Sequence, residues 1–158
     1  MKNILHTVIV ITTLTLLSSC QAQPGLGLNE KASVQATDDL PENPLLLNAI
    51  TSGIQPKDST MFTLYGNDAA FSYTGSHNDN HYPDGAVLYE VTWRQQNDEQ
   101  WIGAHVPGEI TTIERVEYAA NGQPTYTLYQ GTPLKKVTIA NPGLRIAAIS
   151  GQRMAVSP

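Results

Sequence analysis

Apolar and polar residues alternate most regularly over residues 86–93. Val87, Tyr89, Val91 and Trp93 fall on one face, and Leu88, Glu90 and Thr92 on the other. A period of two is that of a β-strand, whose successive side chains point to opposite sides. Residues 60–65, 101–106, 110–118 and 125–130 are also rich in β-branched and aromatic residues and read as strands. The breaks between them carry turn chemistry: Gly66-Asn67-Asp68, Pro83-Asp84-Gly85, Asn97-Asp98-Glu99, Pro107-Gly108, the hairpin dipeptide Asn121-Gly122, and Pro133. Residues 45–50 predict a short helix ending near Gly53. Asn67 or Asp68 predicts a cap for a second helix over residues 69–73, closed at Gly75. Residues 145–149 fit a last helix or a strand. The fold class predicted is α+β and β-dominated: a meandering antiparallel sheet with two or three short helices.

The first twenty residues follow a different pattern. Lys2 supplies a positive start, residues 4–17 are mostly apolar, and Leu17-Ser18-Ser19-Cys20 follows. The run is short and diluted by threonine, which suits an export signal and not a spanning helix. The tetrad resembles a lipobox, in which Cys20 receives a diacylglycerol and becomes the new N-terminus. The alternative is an ordinary signal peptide with a chance cysteine. Cys20 is the single cysteine of the 158 residues, so it has no disulfide partner in the chain, and lipidation accounts for it. Several acyl chains on one residue anchor a protein stably. Gln21 stands where an inner-membrane retention signal would place aspartate, which points to the periplasmic face of the outer membrane of a Gram-negative cell. The expected organisation is a signal peptide over 1–19, a lipidated cysteine and flexible tether over 20–44, and one domain over 45–158.

Charge excludes one class of partner. The chain has 9 basic and 14 acidic residues, and one of the basic residues, Lys2, lies in the signal. No basic stripe is available for nucleic acid. Two constellations carry candidate chemistry. His77, His81 and Asp79, with Asp84 nearby, share the polar loop 76–85, and imidazole with carboxylate suits zinc or copper; the alternative is a solvated loop. On the predicted strand 101–106, Trp101 and His105 share a face with Gly103 between them. A glycine inside a strand often marks close approach of a ligand, so Trp93, Trp101 and His105, with Glu90 or Arg94 at the edge, outline a candidate ligand pocket; the alternative is ordinary aromatic packing. Glu114, Arg115 and Glu117 read as the exposed face of a strand. No nucleophile elbow, phosphate loop, zincin helix or catalytic carboxylate pair is legible, so no catalytic residue is assigned.

The order of motifs resembles the cytochrome P-460 family. Tyr65-Gly66-Asn67-Asp68 precedes Tyr82-Pro83-Asp84-Gly85, and the two tryptophans follow, within a resemblance that spans residues 45–158. The resemblance implies a haem attached at Cys-x-x-Cys-His and cross-linked to a lysine. This chain departs from both. Its single cysteine lies in the export signal, and no lysine occurs between Lys57 and Lys135. No cofactor is firmly predicted; haem enters through the resemblance alone, and not through Cys-x-x-Cys-His. The family also implies a homodimer. The leading expectation is an envelope lipoprotein with a haem-free, noncatalytic P-460-like domain in a binding or structural role. The alternative is a periplasm-facing redox protein that holds haem or another small ligand noncovalently, with His105 as axial ligand. A third reading is a subunit of an envelope assembly that meets its protein partner along the sheet edge.

Overall fold

The computed structural model describes residues 29–154, apart from Asn78, Asn121 and Gly122. Six strands form one antiparallel sheet in sequence order: β1 (Asn48–Gln55), β2 (Thr60–Gly66), β3 (Val87–Asn97), β4 (His105–Tyr118), β5 (Pro124–Gln130) and β6 (Lys135–Val137). Two helices complete it, α1 (Asp68–Ser76) and α2 (Gly143–Ser150). This is the β-dominated α+β meander that the alternation predicts. Neighbouring strands pair because each is joined to the next by a short turn, except where α1 and its following loop separate β2 from β3.

The alternation in β3 divides the core into two. Leu64, Leu88 and Val116 pack with Ile50, Ala70, Tyr82, Ala86, Tyr118 and Ile149 under the two helices. Val87, Tyr89, Val91 and Trp93 pack with Ile110, Ile113, Tyr129 and Leu134 on the opposite face. β3 is thus buried on both faces from Val87 to Val91, with Glu90 the one charged side chain in that stretch.

Asn67 joins three elements on the helical side. Its Oδ1 accepts from the Ala70 amide at 3.1 Å, capping α1, and from the Val87 amide at 3.2 Å, where β3 begins. Its Nδ2 donates to the Gly85 carbonyl at 2.7 Å. The two motifs that carry the family resemblance therefore meet in space. Gly66 has to be glycine-sized: a Cβ there would lie 2.7 Å from Ile50 Cδ1 and 2.9 Å from Ala70 Cβ.

Four local expectations are corrected. Residues 45–50 are not a helix: a single 3-10 turn, Pro44–Leu46, leads directly into β1, because Asn43 and Pro44 set only one turn and residues 48–55 pair with β2. Residues 101–106 and 110–118 are not two strands. β4 runs through Pro107 and Gly108, and its register against β3 shifts around Trp93, where extra residues bulge out of β4 and absorb the proline. Trp101 and Gly103 lie in the turn before it, and Gly103 takes a φ of +84° there. β6 follows Pro133, where no strand is predicted, and residues 143–150 resolve as a helix.

The fourth correction concerns the expected tether. From Asn29 onward it crosses the sheet face opposite the helices. The Trp93 indole donates to the Ala32 carbonyl at 2.9 Å, and the Tyr89 hydroxyl donates to Glu42 at 3.1 Å. Asp39 and Leu134 are bonded through their backbones at 2.9 Å, and Asp38 Oδ1 accepts from the Leu134 amide at 2.8 Å. Ala32, Val34, Leu40, Leu45 and Leu47 lie on the apolar cluster. Few as these apolar residues are, they suffice because β3 and β5 present aromatic surface, Tyr89, Trp93 and Tyr129, that water would otherwise contact.

Candidate functional site

The cross-strand partners Glu90 in β3 and Glu114 in β4 face α2 from the sheet interior, with side chains 6% and 10% exposed. Two buried carboxylates side by side repel each other and lose hydration, so each needs a donor. Arg145, in the first turn of α2, supplies them. Its guanidinium donates to Glu114 Oε2 at 2.8 Å and Oε1 at 2.7 Å, and to Glu90 Oε1 at 2.8 Å. Tyr126 donates to Glu114 Oε2 at 2.6 Å, and the Gln152 amide donates to Glu90. The hydrogen bonds that it donates to Glu114 and the charge of both carboxylates push the Arg145 pKa further up, so it stays a cation. Burial, then the bond to Glu114, pushes the Tyr126 phenol up, so it stays a donor. The planar fork of arginine suits this two-carboxylate grip. Chemically the group is a clamp: one helix cation fixes α2 across β3 and β4.

Beside it lies a second polar anomaly. Tyr82 is 6% exposed, and its hydroxyl has no hydrogen-bond partner among the described residues. Its ring sits between Tyr73 and Tyr118, with centroids 5.2 Å from each. Burial pushes its pKa up to about 12. A cavity of about 500 Å³ bordered by Tyr82, Tyr118, Ile146 and Ser150 opens next to it.

The predicted pocket residues are not brought together. Trp93 and Glu90 belong to opposite faces of β3, Trp93 under the N-terminal segment and Glu90 under α2. Trp101 is 70% exposed in the β3–β4 turn, and His105 is exposed at the start of β4. Trp93 does border an apolar groove of about 520 Å³, but with Leu45, Ile54, Met61 and Phe62. Two local causes separate them: alternation in β3 sends Trp93 and Glu90 to opposite faces, and Trp101 stands in a turn and not on a strand.

In the loop after α1, Asp79 accepts from the Tyr73 hydroxyl and from the His81 amide, and these bonds hold its pKa down. The His77 ring stacks on Tyr73 with centroids 4.1 Å apart, and His81 Nδ1 lies 3.7 Å from Asp79. Among the described residues no group of three or more His, Cys, Asp or Glu side chains is placed to hold a metal ion.

The side chains present do not fit a covalently held haem. The sequence has no Cys-x-x-Cys-His. Among the described residues, His77, His81 and His105 are exposed, as are Lys31, Lys57, Lys135 and Lys136, so no histidine or lysine there faces the interior.

Glu114, Arg115 and Glu117, read as one exposed patch, divide between the faces. Glu114 enters the clamp. Arg115 donates to Glu117 at 2.7 Å and to the Tyr89 hydroxyl at 2.9 Å on the other side. Arg145 and Gln152 were not anticipated in the site. The available signal was charge inside apolar runs: Glu90 between Tyr89 and Val91, and Arg145 within Leu144-Arg145-Ile146.

No family model matches the chain, and no curated protein matches it. The fold and the clamp define a class no finer than a β-meander domain braced by a buried ionic cluster.

Proposed function

We propose that the chain is an envelope lipoprotein, anchored by lipid on Cys20 to the periplasmic face of an outer membrane. Its cytochrome P-460-like domain serves as a noncatalytic binding or structural module without covalent haem. The observation that carries this reading is the position of the single cysteine, directly after Leu17-Ser18-Ser19 and an apolar run opened by Lys2. That one placement supplies an anchor and removes the thiols a covalent haem needs. The clamp supports the noncatalytic part: both buried carboxylates are taken up by Arg145, Tyr126 and Gln152 within the fold.

The test is processing in a Gram-negative host. Globomycin, which blocks the lipoprotein signal peptidase, is expected to make the precursor accumulate. Labelled palmitate is expected on the wild type and not on Cys20→Ala. Normal processing in globomycin together with no Cys20-dependent label would overturn the anchor. For the domain, the Cys20→Ser protein expressed with abundant haem is expected to show no stoichiometric Soret band; such a band would overturn the haem-free part.

A further inference from the structure

We infer that the tip of the β3–β4 hairpin is a second membrane contact, which dips into a neutral phospholipid surface beside the lipid anchor. The inference rests on the anchored reading above and adds the face that the domain turns to the bilayer.

The tip is a shaped turn that presents apolar side chains. Asp98 Oδ1 accepts from the amides of Gln100 and Trp101 at 2.7 and 3.1 Å, and the Asp98 amide donates to the Ala104 carbonyl at 3.0 Å. Gly103, at φ +84°, allows the reversal. The turn holds Trp101 outward at 70% exposure and Ile102 at 107%. Two adjacent large apolar residues at the end of a hairpin have no fold partner to leave. Tryptophan is the side chain most at home at the membrane–water boundary, where its ring is apolar and its N–H stays wet.

A second, independent feature says which surface lies there. The N-terminal segment enters the fold at the stem of this same hairpin, where Asn29 Nδ2 donates to the Pro107 carbonyl at 3.0 Å. The nine residue steps from Cys20 to Asn29 span at most about 30 Å even fully extended. An anchor on Cys20 therefore confines this hairpin, more than the far end of the sheet, to the neighbourhood of the bilayer.

Charge narrows the lipid. Residues 95–107 contain Asp98 and Glu99 and no lysine or arginine. Anionic headgroups attract basic segments and repel acidic ones, so the tip suits zwitterionic lipid.

The test uses the mature chain, residues 20–158, which contains every strand, both helices and both apolar clusters. It is coupled through the Cys20 thiol to a maleimide lipid in phosphatidylcholine vesicles, so the anchor is present whatever the cell does. Tryptophan emission is read with and without phospholipids brominated in the acyl chain. The expected result is a blue shift and quenching on coupling, both absent in Trp101→Phe, which leaves only the buried Trp93. An Ile102→Ser variant is expected to lose a large part of both signals while its fold is intact by circular dichroism. Emission from the coupled protein that is unshifted and unquenched would overturn the inference, including the case in which the tip serves a protein partner instead. Normal processing in globomycin with a full vesicle response would sink the lipoprotein reading alone; precursor accumulation with no vesicle response would sink the hairpin contact alone.

Discussion

At the scale of single residues, Glu90, Glu114 and Arg145 set the sharpest expectation. Removing one partner of a buried ionic group leaves its counter-charges unpaired, which costs about 3–5 kcal/mol when all partners are buried. The Arg145 side chain is 43% exposed, so solvent reaches part of the cluster, and Arg145→Ala is expected to cost about 2–3 kcal/mol, below the fully buried span. Replacing all three residues by leucine is expected to restore stability to near or above the wild type, since no charge is then left without a partner. Urea titrations of the three proteins measure both effects; a triple variant as unstable as Arg145→Ala would contradict the clamp. The sequence places Glu90 on the face it occupies, because strand alternation states the face. It does not state what covers that face, and so Glu114 reads as exposed. The cover, α2, comes from a segment equally consistent with strand or helix.

At the scale of elements, the joint at Asn67 is where local chemistry and tertiary structure agree. An N-cap replaced by alanine costs about 1 kcal/mol. Here the same side chain also satisfies the Val87 amide and the Gly85 carbonyl. Asn67→Ala is therefore expected to cost about 2–3 kcal/mol by thermal unfolding, since partly buried backbone groups lose their partners. Asn67→Asp is expected to cost less, because the acceptor oxygen stays and only the donation to Gly85 is lost. Equal losses in the two variants would show that the donation to Gly85, lost in both, carries the whole effect and that the cap adds nothing. The cap, the strands β2, β3 and β5, and the Pro83-Asp84-Gly85 turn are legible from sequence because each is set by neighbours in the chain. The stem of the β3–β4 hairpin is not. Pro107-Gly108 reads as a stop by its propensity, and only pairing with β3 turns it into a bulge inside a continuous strand.

At the scale of the whole molecule, the sheet has two covers of unlike kind, helices on one side and an irregular N-terminal segment on the other. Residues 29–44 have the composition of a linker, and composition carries no information about a surface waiting to be covered. A chain beginning at residue 48 lacks the Ala32 carbonyl that holds the Trp93 indole, as well as Leu40, Leu45 and Leu47 over the cluster. It is expected to melt well below the chain beginning at residue 29, with red-shifted Trp93 emission when both carry Trp101→Phe. Matching melting curves and matching emission would show the cover to be dispensable.

The same segment also fixes an order of events. Every strand pair in the sheet joins neighbours in sequence, whereas Asp38 meets Leu134 across a separation of 96 residues, and Ala32 meets Trp93 across 61. Contacts between close neighbours close small loops and form early; distant ones wait for the intervening chain to be arranged. In a proposed exported chain, threaded N-terminus first, Asn29 to Leu47 leave the translocation channel before any strand exists, and their docking surface is complete only once β6 has followed. The stretch that reaches the envelope first is the last to find its place. Under the proposed export, no folded body would follow Cys20 during that interval, and processing enzymes would have an unobstructed approach.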